Sequence, residues 1–184
     1  MKCPCCGYQN LAGADSCENC QTSLSREDVP EPLDAIERSL MEEPVACLQP
    51  LRPLTVDLDA TLDEAVRFMR NHGIGCVLVT DAAGKLAGIL TERDLLQKVA
   101  AEGNDLSRLR VADCMTAAPE TSKPGYPLGY GLQRMIVSDI RYLPLIDDSG
   151  RPVGIVSSRD IIAYMANRFR TAMEPAAPPE PAQE

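Results

Sequence analysis

Two cysteine pairs and two hydroxyl–carboxylate pairs are the residues of this 184-residue chain whose types and spacing could do chemistry. Cys3 and Cys6 form one C-x2-C pair and Cys17 and Cys20 another, so four thiolates can close a tetrahedral shell around one structural zinc ion. Only ten residues separate the pairs, enough for a short hairpin, and Gly7 and Gly13 supply the permissive backbone that thiolate-bearing turns need. A segment this small has no core of its own, so metal would supply most of its folding free energy, on the order of 10 kcal/mol. Cys5 offers a fifth thiol that could compete for metal or form a disulfide, which leaves a redox switch as the alternative.

The second set lies in the heptapeptide Gly88-Ile89-Leu90-Thr91-Glu92-Arg93-Asp94, which returns 66 residues later as Gly154-Ile155-Val156-Ser157-Ser158-Arg159-Asp160. Each copy reads as a buried strand running into a helix whose first turn is capped by Thr91 or Ser157, with the acid three residues on. Hydroxyl and carboxylate then converge where backbone N–H groups point outward unpaired, a place suited to a phosphate and a sugar hydroxyl. The same spacing also makes a capping box with no ligand at all.

The elements that must position these pairs repeat with them. Sliding the chain against itself by 66 residues aligns 45–100 with 111–166 without a gap, and 14 of the 56 positions are identical, as an internal duplication requires. In the first copy an extended segment through Thr55 and Val56 leads to a helix capped by Thr61 and Glu64, with Leu62, Ala65, Val66 and Met69 on one face. Cys76 to Val79, a turn through Asp81 to Gly84, and Leu86 to Leu90 read as a hairpin. Thr91 then opens a helix carrying Leu95, Leu96 and Val99. Such a strand, helix, strand, strand, helix unit cannot bury both faces of its sheet alone, so the two copies should pack sheet to sheet. The expected fold is α/β (α+β). Ahead of it, 25–32 is acidic and proline-bearing, like a spacer, and Leu33, Ile36, Leu40 and Met41 fall at helical spacing up to Pro44. That lead helix packs on the next domain or on a second copy of the chain.

Cys3-Pro4-Cys5-Cys6-Gly7 and Cys17-Glu18-Asn19-Cys20 resemble the small zinc ribbons at the ends of many prokaryotic proteins. Residues 45–170 resemble a tandem pair of cystathionine-β-synthase (CBS) domains, a Bateman module. The match lies in the two heptapeptides and in Arg141-Tyr142-Leu143-Pro144-Leu145-Ile146-Asp147, similar to the family's strand ending in a proline and a small apolar pair. The resemblance implies two pseudo-twofold-related repeats, clefts that take adenosine-containing ligands such as AMP, ADP or ATP, and a homodimer. It also implies that Asp94 and Asp160 bond ribose hydroxyls, that Thr91 and Ser157 face phosphate beside Arg93 and Arg159, and that Arg141, next to Tyr142, Leu143 and Pro144, is a phosphate contact in the Ser157 cleft. Thr55-Val56 and Thr121-Ser122 correspond to the segments bordering the base. Three departures stand out: Leu78 replaces Pro144 in the first copy, Gly75 stands where Arg141 does, and 125–131 is richer in glycine and tyrosine than the usual helix start.

The expected organisation is therefore a zinc ribbon over 1–24, a spacer and lead helix over 25–44, repeats over 45–104 and 105–170, and a disordered Pro-, Ala- and Glu-rich tail over 171–184. A formal charge of −9 speaks against nucleic acid as a partner, and in 1–24 Lys2 faces Asp15, Glu18 and the charge of a tetrathiolate site. No apolar run approaches the roughly 18 residues that span a bilayer, and the chain opens on no signal-like segment, so the expected compartment is the cytoplasm. His72 is the only histidine and adjoins no nucleophile motif, while Cys47, Cys76 and Cys114 sit in apolar or strand-flanking contexts as small hydrophobes. The chain thus reads as a non-enzymatic sensor signalling to a protein partner. The alternative is an adaptor whose dimer presents two ribbons for docking, with its clefts empty.

Overall fold

The computed structural model of the protein describes residues 2–3, 5–11, 14–22, 24, 35–98 and 105–173. Gly13, all of the expected spacer, Leu33, Val99 and most of the expected tail lie outside them.

Helix α1 (Ala35–Glu42) is the lead helix, followed by a 3-10 turn at Val45–Leu48. The first copy then runs β1 (Thr55–Asp57), α2 (Leu62–His72), β2 (Cys76–Thr80), β3 (Leu86–Thr91) and α3 (Glu92–Lys98). The second runs α4 (Val111–Cys114), β4 (Thr116–Ala117), α5 (Leu128–Val137), β5 (Tyr142–Ile146), β6 (Pro152–Ser157) and α6 (Ser158–Met173). Helix α2 starts as its sequence dictates. Thr61 accepts from the Glu64 N–H while the Glu64 carboxylate takes the Thr61 N–H, and Leu62, Ala65 and Met69 turn inward. Val66, on the edge of that face, is half-buried, and Leu96 on α3 points to solvent. Helix α6 reaches Met173, past the expected start of the tail at Thr171, because nothing in Thr171-Ala172-Met173 breaks a helix before Pro175.

The two copies exchange their leading segments. Strand β1 pairs parallel with β2, which pairs antiparallel with β3; the outer neighbour of β3 is β4, from the second copy. In the other sheet β5 pairs with β6, and Leu51, from the first copy, bridges Ile155 on β6. The cores follow the same exchange. Val111 and Cys114 complete the first core with Leu62, Met69, Val77 and Leu90, whereas Val45, at the matching position of the first copy, is sealed into the second core with Leu128, Leu143 and Ile161. Each repeat therefore donates its first turn and edge to its neighbour. Between the sheets, Cys76, Leu78 and Ile89 pack with Tyr142 and Ile155, so the copies meet sheet to sheet.

The glycine of each heptapeptide marks the crossing. A Cβ on Gly88 would clash with the Met115 sulfur and lie 3.0 Å from the Thr116 carbonyl oxygen, and one on Gly154 would lie 3.0 Å from Pro50 Cβ. Gly88→Ala is expected to lower stability by about 1 to 3 kcal/mol, read as a shift in the denaturant midpoint at unchanged slope. No shift would mean that the exchanged edge is not held in place.

Candidate functional site

The exchange creates two clefts of about 470 and 450 Å³, each built from both copies. The Asp94 cleft combines the β3–α3 junction with Thr116 to Glu120 and with Asp139 to Tyr142. The Asp160 cleft combines the β6–α6 junction with Leu51, Arg52 and Leu54 and with Gly73 to Cys76. A shared ridge of Gly75, Glu92, Arg141 and Tyr142 separates them. A Cβ on Gly75 would run into the Tyr142 hydroxyl, so this position has no room for a second arginine.

In both clefts hydroxyl and acid are locked to each other. Thr91 Oγ1 donates to Asp94 Oδ2 at 2.6 Å and Ser157 Oγ to Asp160 Oδ2 at 2.7 Å, while the Asp94 and Asp160 N–H groups donate back at 3.3 Å. These are capping boxes, the ligand-free reading of the motif, and they leave only the second carboxylate oxygen to act outward. There the copies part. Thr116 Oγ1 donates to Asp94 Oδ1 at 3.0 Å, and Asp94 is buried. The position matching Thr116 is Pro50, which has no hydroxyl, and Oδ1 of the exposed, cleft-lining Asp160 has no hydrogen-bond partner among the described residues.

Charge divides the clefts further. Gly73 and Asp139 fill the same left-handed position after α2 and α5, with φ of +63° and +48°. Asp139 brings a carboxylate that holds Arg93 Nη1 at 3.0 Å, whereas Gly73 brings none, so Arg159 has no ion pair among the described residues. Glu120 lines the Asp94 cleft, and its counterpart Leu54 lines the other. The Asp94 cleft thus sets Arg93 and Arg141 against Glu92, Asp94, Glu120 and Asp139, whereas the Asp160 cleft sets Arg52, Arg141 and Arg159 against Glu92 and Asp160. The second arrangement has the chemistry to receive an anion beside a hydroxyl-bearing group, since guanidinium groups fork onto acidic oxygens and a free carboxylate oxygen accepts from hydroxyls.

Of the residues expected from the sequence, Thr91, Arg93, Asp94, Ser157, Arg159 and Asp160 line a cleft, and Arg141 and Tyr142 line both. Arg141 is thus on the ridge and does not belong to the Ser157 cleft alone. Thr55, Val56, Thr121, Ser122, Leu143 and Pro144 line neither cleft. Thr55 is on the exposed outer strand and Val56 packs on the first core. Thr121 and Ser122 precede α5, where the Ser122 N–H bonds the Pro144 carbonyl, and Leu143 is fully buried. The lining falls upstream, on 51–54 and 116–120, because the exchanged segments cross the cleft mouths before turning into their own strands. Arg52, Thr116, Glu120 and Asp139 are the residues sequence reasoning missed; mapping charges onto the 66-residue repeat was the signal that could have found them.

A separate cluster lies at the amino terminus. The sulfurs of Cys3, Cys6, Cys17 and Cys20 all lie within 4.8 Å of one another, with Cys3–Cys20 at 3.6 Å and Cys6–Cys17 at 3.5 Å. Sulfurs about 2.3 Å from a tetrahedral metal stand about 3.8 Å apart, so the donor set fits such an ion. Two matching turns present them. Gly7 N–H bonds Cys3 O and Cys3 N–H bonds Tyr8 O; Gln21 N–H bonds Cys17 O and Cys17 N–H bonds Thr22 O. Gly7 and Gln21 occupy the same left-handed position, with φ of +71° and +58°. Burial pushes the Cys6 thiol up to about 12. Burial also pushes Cys17 up, but the Cys20 and Asn19 N–H groups, with Asn10 and Cys6, outweigh it and bring the thiol down to about 6. Cys5 is outside the shell; its thiol donates to Gln133 Oε1 on α5 at 3.1 Å. The cluster docks on repeat two, with Tyr130 buried among Cys3, Cys6, Cys17 and Leu24 and with Tyr126 beside it. This contact accounts for the tyrosines and glycines at the start of α5.

Comparison with known proteins bears on both regions unequally. The family model for the CBS domain matches residues 38–101 and 111–167. An uncharacterized protein of Methanopyrus kandleri is 35% identical over 55% of this chain and 52% of its own. The mitochondrial CBS domain-containing protein CBSX3 of Arabidopsis thaliana is 32% identical over 63% of this chain and 58% of its own. The chain therefore spans little more than half the length of these relatives. Among solved structures, the CBS domain pair of protein MJ0100 in complex with 5'-methylthioadenosine and S-adenosyl-L-methionine superposes with a TM-score of 0.62 at 27% identity, covering 68% of this chain and 97% of that one.

Proposed function

The chain belongs to the CBS-domain family, and from that premise we propose that it is a regulatory, non-enzymatic protein that binds adenosine-containing ligands in the clefts between its repeats and signals to a partner protein. The observation that carries this reading is the Asp160 cleft, with three guanidinium groups and an open carboxylate oxygen in one cavity. Arg159, Arg52 and Arg141 take phosphate, and Asp160 Oδ1 takes the ribose hydroxyls, with Ser157 at the edge. The Asp94 cleft, which holds more acids than cations, takes a less charged adenosine derivative. A related domain pair crystallised with 5'-methylthioadenosine and S-adenosyl-L-methionine supports adenosine as the common element. Ligand acts by shifting the population of two packings of the repeats.

Calorimetry with AMP tests this reading. Asp160→Ala is expected to abolish tight binding and Asp94→Ala to leave it intact; the opposite pattern reverses the assignment. A thermal-shift panel of AMP, ADP, ATP and S-adenosylmethionine should give about 2.7 kcal/mol of stabilisation at a hundredfold excess over Kd. No shift with any of them would favour the adaptor reading.

The four cysteines hold one structural zinc, and the ribbon serves as a protein-docking module, its acidic surface disfavouring nucleic acid. The protein acts in the cytoplasm; no helix among the described residues is long and apolar enough to cross a membrane. We further propose a homodimer. The lead helix packs on α5 and α6 and the apolar face of α2 faces the first core, so neither is spare. Among the exposed apolar residues are Leu96 on α3 and its repeat counterpart Ile162 on α6, with Ile136 and Val137 on α5. Leu96→Glu with Ile162→Glu should give a monomer by light scattering at tens of micromolar. A wild type that is already monomeric there overturns the proposal.

A further inference from the structure

Three side chains join the cysteine cluster to the Asp94 cleft, two of them on α5. Tyr130 is packed into the cysteine cluster and is 3% exposed. One turn along the same helix, the Arg134 guanidinium carbon lies 5.4 Å from the centre of the Tyr130 ring. Arg134 Nη2 reaches Glu120 Oε2 at 3.1 Å, and Glu120 lines the Asp94 cleft. Arg134 Nε is buried without a hydrogen-bond partner, so ring and carboxylate are what hold the guanidinium. None of these residues has an equivalent at the other cleft, where the 66-residue repeat places Glu64, Phe68 and Leu54. The chain of contacts exists only on the helix where the cluster docks.

We infer that metal in the cysteine cluster sets the ligand preference of the Asp94 cleft through Tyr130 and Arg134, with Arg134 as the positioning residue for Glu120. This rests on the zinc and nucleotide readings above. With metal bound, the cluster fixes the Tyr130 ring, the ring fixes Arg134, and Arg134 neutralises Glu120 and holds it against the wall. Without metal, the Tyr130 pocket loses the four sulfurs that define it. Arg134 and Glu120 then become an ordinary half-exposed ion pair, too weak to hold either side chain. Glu120 is released with its charge at the mouth of a cleft already rich in carboxylates, and a phosphorylated ligand is disfavoured. Linkage makes the effect reciprocal: phosphorylated ligand in that cleft tightens metal binding by the same factor.

The test uses the full chain with zinc and compares hydrogen exchange before and after chelation. Metal removal is expected to speed exchange over 117–120 and leave 51–54, the matching segment at the other cleft, unchanged. Arg134→Ala should show the faster exchange with zinc still bound and no further change on chelation, and Arg134→Lys, which keeps the charge, should recover part of the difference. Changes confined to 2–24, or equal at 51–54 and 117–120, overturn the inference, and the wild-type arm decides this even if a variant fails to fold. Titrating AMP into Asp160→Ala isolates the Asp94 cleft. Affinity should fall at least about fivefold on chelation, and not in Asp160→Ala with Arg134→Ala. Equal affinity with and without zinc counts against the coupling. No binding of AMP to any form counts against the nucleotide reading, and the exchange measurement still decides the coupling.

Discussion

Removing the metal from freshly isolated protein is expected to unfold the amino-terminal cluster as a unit while both repeats stay folded. The cluster's core consists of Cys3, Cys6, Cys17, Leu24 and the borrowed Tyr130, with Cys5, Ala14, Cys20 and Tyr126 around it, far too little apolar surface to offset the entropy of ordering the segment. With zinc bound, metal–sulfur bonds are expected to supply the difference, on the order of 10 kcal/mol in comparable small sites. Gln21 adds to the demand, because a non-glycine residue in the left-handed region costs about 1 to 2 kcal/mol. Metal analysis should find one zinc per chain. Chelation or Cys17→Ser should make 2–24 susceptible to proteolysis while the thermal transition of the repeats persists. If the isolated protein carries no metal and Cys17→Ser leaves the proteolytic pattern unchanged, the cluster is held by something other than zinc. Asn10 belongs to the same argument: its side-chain amide donates to Cys17 Sγ at 3.5 Å while its carbonyl takes the Glu18 N–H, so it orients one ligand.

What was legible in the sequence was whatever depends on short intervals. The cysteine spacing, the Thr61–Glu64 and Thr91–Asp94 boxes and the continuous apolar runs of the strands act within a few residues and are printed in the order in which they fold. The 66-residue duplication also revealed that two similar units must face each other. What it hid was the exchange. A repeat fixes that Val45 and Val111 do the same job, but not whose core each completes, because an intact and an exchanged pair have the same periodicity. That one ambiguity misplaced the cleft walls: Thr55-Val56 is in β1, Ser122 bridges Leu145 on β5, and the crossing segments ahead of them form the walls. The tyrosines of 125–131 looked like a weak helix start for a related reason. Their partner is the cysteine cluster more than a hundred residues away, and no local pattern encodes a contact at that distance.

The matched arginines give the sharpest test of how the clefts differ, since Arg93 and Arg159 come from the same position of the same motif. Arg159→Ala is expected to weaken AMP binding by about tenfold to a hundredfold, and Arg93→Ala to change it by much less. A charge-assisted hydrogen bond to phosphate contributes roughly 1.5 to 3 kcal/mol when the cation is free to make it. Arg159 has no ion pair among the described residues, because Gly73 stands where a carboxylate would hold it. Arg93 is engaged by Asp139, through both the carboxylate at 3.0 Å and the backbone carbonyl at 3.3 Å, and must give up those contacts before it can turn to a ligand. For this matched pair of arginines, the Asp139 carboxylate is thus what sets them apart. Replacing it should show this directly: Asp139→Gly, which copies Gly73 and suits the left-handed backbone, should release Arg93 and strengthen phosphate binding in the Asp94 cleft. Calorimetry on the four proteins separates the possibilities. Equal losses for Arg93→Ala and Arg159→Ala, with no gain for Asp139→Gly, would show that the ion pair at the mouth of the Asp94 cleft does not govern which ligands it admits.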